Sequence, residues 1–165
     1  MSDNIAVSWA HDRSRLERSR NYWLATVRSD GRPHVAPVWG VWLDGLFHFA
    51  TAPTTAKGRN LIANPQAALH LDDSENVLMI EGSVALMEDV ALRNRIDDAF
   101  SAKYVTIRSG RPYRSDMNPE ARLWTLTPVK AFAWWEIAID ETARSWHWDT
   151  VPEPHRAAGW SPFGR

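Results

Sequence analysis

The sequence predicts a mainly β (α+β) domain, an antiparallel barrel or sandwich with short peripheral helices, and three observations carry that expectation. Apolar runs of strand length, YWLATVR, HVAPVWGVW and LFHFAT among them, follow one another between Asp-Gly and Pro punctuation. The helical segments are few and irregularly inserted, without the strand–helix–strand alternation of a parallel sheet. No Gly-rich phosphate fingerprint of the dinucleotide or Walker type is present, which argues against a Rossmann fold and removes the commonest nucleotide sites.

With 165 residues and 44% hydrophobic content, the chain suffices for one domain, residues 1–165, with a core of its own. Residues 12–20 read as a short charged helix with Leu16 inward, so that 1–20 form a solvated helical lead-in and 146–165 a C-terminal tail. Residues 22–28 form a strand, and the Asp30-Gly31 pair supplies the positive φ angles of a tight hairpin. In the next strand, 34–42, Pro37 and Gly40 suit an edge or a bulge, so this strand bends. A turn at 43–45 leads into 46–51, and three antiparallel strands thus meander in sequence. Thr54 or Thr55 caps a helix, TTAKGRNLIAN, that Asn64-Pro65 stops. Strands at 66–72 and 76–88 come next, joined by a turn at 72–74. Asp89 caps a helix through Tyr104 that buries Leu92, Ile96, Ala99 and Phe100. Residues 105–121, with Gly110, Pro112 and Pro119, form either a lid or a surface loop. Two final strands, 122–127 and 130–139, part at Pro128, giving about seven strands in all.

Composition excludes several function classes. A net charge of −1 and a pI near 6.6 give no electrostatic footprint for nucleic acid, and no nucleic-acid motif is present. The absence of cysteine removes disulfides and thiolate metal sites. The first twenty residues are too charged for a secretory core, and no run of about 18 apolar residues occurs, so a cytoplasmic protein with no membrane partner is expected. The six histidines show no HExxH or i, i+4 spacing, so no metal is expected. Asp72/Asp73 and Asp97/Asp98 read as solvated acids at a turn and on an exposed helix face. Among ten tryptophans, Trp124, Trp134 and Trp135 suit barrel core or a dimer interface.

Lys57 stands out, as one of three lysines against sixteen arginines. Thr54 and Thr55 hydroxyls, free helix N–H groups and the cations of Lys57 and Arg59 make a compact anion site. The same residues also make an ordinary capped surface helix with solvated cations. Position favours the anion site, because the helix comes after a β-hairpin whose second strand carries Pro and Gly, where backbone can approach a flat ligand.

The LATVRSDGRPHVAPVW hairpin, the AKGRNLIANP helix and the EGSV strand resemble pyridoxamine 5′-phosphate oxidase-like proteins, in particular the B branch of the flavin/deazaflavin oxidoreductase superfamily. The resemblance covers residues 21–103 well and continues more weakly to 136. It implies a split β-barrel, FMN-binding-like, as a homodimer with two equivalent cofactor sites at the subunit interface. By that resemblance, backbone at Val35, Ala36, Pro37, Val38 and Trp39 faces the tricyclic ring, with Trp39 stacking near it. Ala50 and Thr51 lie beside the ribityl chain, and Thr55, Ala56, Lys57, Arg59 and Asn60 hold the phosphate. Gly58, which weakens a helix interior by roughly 1 kcal/mol relative to Ala, predicts a looser phosphate pocket.

The B branch implies the deazaflavin F420 as cofactor, with FMN as the alternative, and Arg28, Arg32 and Arg59 as cationic surface for a polyglutamate tail. The implied activity is hydride transfer from reduced F420 to a conjugated, electron-poor small-molecule acceptor. The alternatives are an FMN-dependent oxidase or reductase and a non-catalytic F420/flavin-binding protein; some relatives bind haem on this barrel. The C-terminal Trp and Arg-Leu-x-Pro pattern of true pyridoxamine phosphate oxidases is missing, so a substrate other than that vitamin is expected. The cofactor carries the chemistry, and no catalytic side chain is assigned; Tyr104 and His34 are the named proton-donor candidates.

Overall fold

In the computed structural model, residues 8–106 and 109–148 are described. Helix α1 spans Trp9–Arg18 and leads into β1 (Tyr22–Val27), β2 (Pro33–Val38), β3 (Gly40–Leu43) and β4 (Leu46–Thr51). Then come α2 (Ala56–Ala63), β5 (Gln66–Leu71), β6 (Asn76–Leu86) and α3 (Val90–Lys103), followed by β7 (Arg122–Trp135), α4 (Ile139–Thr142) and β8 (Arg144–His147). All strands belong to one antiparallel sheet in the order β2-β1-β5-β6-β7-β4-β3, with β8 also beside β7. Strands β2 and β3 stand at opposite ends of that order, yet a single residue, Trp39, joins them. One residue spans only about 3.5 Å, so the sheet must curl until its ends approach. The result is a half-barrel with short helices, a split β-barrel.

The expected bending strand 34–42 is therefore two strands on different sheet edges, and the meander is a β1–β2 hairpin followed by a β3–β4 hairpin. Pro37 sits where an edge tolerates a missing N–H. Gly40 is needed because a Cβ there would run into the Phe47 ring and lie 2.9 Å from the His48 carbonyl. In the β1–β2 turn only Gly31 takes a positive φ (85°), while the Asp30 carboxylate accepts from the Arg32 N–H. The parting at Pro128 does not occur either. β7 runs through it because the register shifts opposite Glu81/Gly82: Lys130 faces Glu81 and Pro128 faces Gly82, which leaves Val129 as the extra residue of a bulge. Beyond Trp135 the chain turns into a 3₁₀ turn and α4 rather than continuing as strand to 139.

Inward positions of the strands build the main core, with Tyr22, Leu24, Phe47, Phe49, Leu69, Ile80, Trp124 and Leu126 almost wholly enclosed. A second cluster, Ile96, Phe100 and Tyr104 with Val41, Met87 and Leu123, seats α3 against the sheet. Residues 107–108 of the expected lid or loop lie outside the described residues; the rest is tied by a Val105–Pro112 bridge and a 3₁₀ turn at Ser115–Met117.

The lead-in is not simply solvated. Ser8 caps α1, and Asp12 is fully buried against Arg144, which is 1% exposed, through bonds of 2.9 and 2.8 Å. Arg144 also donates to the Thr142 carbonyl at 2.7 Å, so this ion pair joins α1 to β8. Trp146 is buried within β8 and His147 ends it, so the expected tail starts later than 146; residues 149–165 lie outside the described ones. Among the described residues no helix is long and apolar enough to cross a membrane, and no group of three or more His, Asp or Glu is placed to hold a metal ion.

Candidate cofactor site

Helix α2 begins where β4 ends, and its first turn is built by Thr55. The Thr55 hydroxyl accepts from the Gly58 N–H at 3.1 Å, donates to the Ala52 carbonyl at 2.8 Å and lies 3.1 Å from the Thr51 hydroxyl. That cap, with the Arg59 N–H bonded to the Thr55 carbonyl, leaves the N–H groups of Ala56 and Lys57 without a described partner. Lys57 is half-buried with neither a hydrogen bond nor an ion pair among the described residues, and desolvation pulls its amine below the ordinary lysine range. Arg59 is exposed, donates to the Thr54 carbonyl and has no acidic partner among the described residues. Two free N–H groups at a helix start and two cations without counter-charge together favour an anion.

Gly58 does not loosen this turn. It is buried, and a Cβ there would lie 2.8 Å from both Cα and O of Pro53 and closer still to the Ala52 carbonyl. Glycine is what allows the first turn of α2 to pack onto the 52–53 backbone.

Two of the five expected phosphate residues have side chains committed to the fold. Thr55 is used by the cap, and Asn60 is buried, donating to the Thr26 hydroxyl at 2.9 Å. Thr26 reaches the His34 carbonyl at 3.4 Å, so the Asn60–Thr26–His34 series pins α2 to the β1–β2 hairpin. Thr26 was missed in the sequence, although it is the polar member of the inward set Tyr22, Leu24, Thr26 in an alternating strand. Ala56, Lys57 and Arg59 remain open to a ligand.

β2 is an edge of the sheet, with Val35 51% exposed, Pro37 exposed and Ala36 half-buried; Val38 is buried. The Nδ1 of His34 is enclosed and lacks a partner among the described residues. The Trp39 ring stacks on Tyr104 at 4.7 Å with a 12° interplanar angle and meets Tyr113 edge-on at 5.6 Å, so one of its faces is already occupied. Ala50 is half-buried and Thr51 buried, with the Thr51 carbonyl accepting from the Trp124 indole at 3.0 Å. Tyr104 is fully buried; its hydroxyl accepts from the Gly40 N–H at 3.1 Å and lies 2.9 Å from both the Arg20 and Gly40 carbonyls, which share its single proton. Burial pushes its pKa up to about 12, so the hydroxyl stays protonated while it braces Gly40 and Arg20.

The split half-barrel is a fold of the flavin-binding class, and on it an edge strand with open backbone, held by Asn60–Thr26, stands beside a cationic helix start. The chain belongs to the pyridoxamine 5′-phosphate oxidase family, which matches residues 9–135. A pyridoxine/pyridoxamine 5′-phosphate oxidase of Rhodopseudomonas palustris (strain HaA2) is 33% identical over 153 residues, 90% of this chain but 66% of that protein, so the chain spans just under two thirds of the relative's length. Among solved structures, an F420 reductase is 27% identical with a TM-score of 0.53, covering 72% of this chain and 93% of its own. A pyridoxamine 5′-phosphate oxidase-related, FMN-binding protein of Nostoc punctiforme PCC 73102 shares the fold at 19% identity and a TM-score of 0.59, covering 89% of this chain and 90% of its own.

Proposed function

We propose that the chain is an F420-dependent oxidoreductase of the cytoplasm, passing a hydride from the reduced deazaflavin to a conjugated, electron-poor small molecule. The observation that carries the reading is the half-buried Lys57 without a counter-charge at the open start of α2. A desolvated cation of that kind is stabilised by a bound phosphate, so the residues present fit the cofactor's anionic end. Lys57, Arg59 and the Ala56 and Lys57 N–H groups hold the phosphate, Thr51 and Ala50 flank the ribityl chain, and the β2 backbone from Val35 to Trp39 lies along the ring. The cofactor supplies the hydride; the protein's part is to bind, to orient acceptor against ring and to exclude water. The exposed Val35 and Pro37 edge is covered by the second subunit of a homodimer, which closes each of two equivalent sites.

F420 is favoured over FMN by the reductase at 27% identity and by a cationic hairpin. Arg32 there is tied to Asp30 at 2.7 Å, which leaves Arg28 for a polyglutamate tail beyond the phosphate that Arg59 helps to hold. FMN is the second reading, favoured by the 33% identical oxidase, whose name also puts pyridoxamine 5′-phosphate among the substrates to assay.

Titration of the protein with F420 and, separately, FMN, followed by tryptophan quenching, tests these readings. F420 is expected to bind more tightly, and Lys57→Ala to weaken it by about 10- to 100-fold, the loss of one charge-assisted bond. Preference for FMN moves the protein to the flavin branch. Tight F420 binding without acceptor-dependent oxidation of the reduced form makes it a binding protein, and no binding of either removes the reading.

A further inference from the structure

The end of α3 carries an amine that the α2 site does not use. Lys103 Nζ donates to the Tyr22 hydroxyl at 2.5 Å and to the Gly40 carbonyl at 3.0 Å, and it lies over the Tyr22 and Tyr104 rings at 4.8 and 5.4 Å. Beside it opens a groove of about 520 Å³, within the size range of small-molecule sites. Its wall is apolar, formed by Val41, Trp42 and Ala99, and its rim is cationic, formed by Arg18, Arg20 and Lys103.

Charge on this rim is not balanced. The one acid lining the groove, Glu17, is paired to Arg13 at 3.5 Å, and Arg18 is exposed with no ion pair among the described residues. Arg20 is held in place by a 2.8 Å bond to the Lys103 carbonyl and by the Tyr104 ring at 5.4 Å, which keeps two like charges close. Burial first, and then the Arg20 charge, bring the Lys103 amine down to about 8, and the nearby Glu17 charge offsets this only in part. An amphipathic anion meets both deficits at once: its charge neutralises the rim and its body covers the wall.

We propose that this groove is a second binding site, lined by no residue of α2 or β2, for a small organic anion with an apolar body, of the aromatic carboxylate class. Arg18 and Lys103 take the carboxylate, while Val41, Trp42 and Ala99 take the body.

Calorimetric titration of the full chain with naphthalene-1-carboxylate tests this, with naphthalene-1-methanol as the uncharged analogue and inorganic phosphate as the anion without an apolar body. Saturable binding of the carboxylate is expected, with both controls weaker by about tenfold or more. Arg18→Glu, at an exposed position, should weaken the carboxylate about tenfold and leave the alcohol unchanged. Lys103→Met, checked for native circular dichroism, should remove the preference for the charged ligand. Lys57→Ala should leave carboxylate binding unchanged, which separates this groove from the α2 site whether or not F420 binds there. Equal affinity for acid and alcohol, an unchanged dissociation constant in Arg18→Glu, loss of binding in Lys57→Ala, or no saturable binding overturns the proposal and leaves these cations as helix C-terminal charges.

Discussion

Helix propensity and packing give opposite signs for Gly58→Ala. In an exposed helix interior the change favours the helix by about 1 kcal/mol. At this buried position the new methyl lies 2.8 Å from Pro53 Cα and O, against an ordinary separation of about 3.5 Å. Those neighbours are backbone and cannot rotate away, so overpacking costs about 1–3 kcal/mol. The Ala52 carbonyl, closer still, is also the acceptor of the Thr55 hydroxyl and N–H; moving it loosens the α2 cap, worth about 1 kcal/mol. The cap loss offsets the propensity gain, which leaves a net destabilisation of about 1–3 kcal/mol. For a chain of this length that is a fall in Tm of about 3–10 °C. Urea and thermal unfolding measure it, and cofactor affinity should drop as well, because the displaced turn carries the Ala56 and Lys57 N–H groups. A variant as stable as the parent, or more so, would refute the packing account and restore Gly58 as an ordinary weak point in the helix.

Two further substitutions test the interior. Arg144→Met leaves the buried Asp12 carboxylate with only its 3.3 Å contact to Arg15 and should cost about 3 kcal/mol in urea unfolding, whereas Asp12→Leu combined with Arg144→Met recovers part of that loss. A loss in the double variant equal to the sum of the Asp12→Leu and Arg144→Met losses would show that the pair is not coupled. His48 is fully buried, bonds Thr125 through Nδ1 at 2.9 Å, and has its pKa lowered from 6.5 to about 4 by desolvation. The unfolded chain therefore binds the extra proton first, so stability is complete above pH 6.5 and is lost as the pH falls from there towards 4. The loss amounts to at most about 3 kcal/mol. Unfolding free energies measured between pH 7 and pH 4 should show this slope, and His48→Gln should flatten it; an identical slope in the variant assigns the acid sensitivity to other groups.

Local signals were legible in the sequence wherever one residue type answers one backbone need. Thr55 as cap, Asn64-Pro65 as stop and Asp89 before α3 all stand where their side-chain chemistry puts them. Tertiary partners were not legible. Pro128 reads as a break because a strand interior needs its N–H, but the bulge opposite Gly82 removes that need, and only the β6–β7 register reveals it. Asp12 looks solvated within a charged helix because its partner lies 132 residues away. Asn60 shows the same limit within the site. The family resemblance implies a phosphate contact for it, and the inward Thr26, 34 residues away, takes its amide N–H.

The elbow at Trp39–Gly40 explains why site and fold are one geometrical problem. The Gly40 peptide is held at its N–H by the Tyr104 hydroxyl and at its carbonyl by Lys103, and the space a side chain would need is filled by Phe47. Trp39 stacks on the same Tyr104, so the end of α3 sets the direction in which β2 meets the elbow. The other end of the β1–β2 hairpin is fixed from α2 through Asn60 and Thr26. These anchors are buried polar contacts, whose loss costs a desolvation penalty, so they favour one separation between the β2 backbone and the α2 start. A cofactor joining a rigid ring to a phosphate by a short chain requires that separation to be constant. One anchor, Tyr104 with Lys103, lies outside the expected ligand set, and the other ties Asn60 of that set to Thr26, so in the proposed cofactor site preorganisation rests on Tyr104, Lys103 and Thr26 as much as on Lys57.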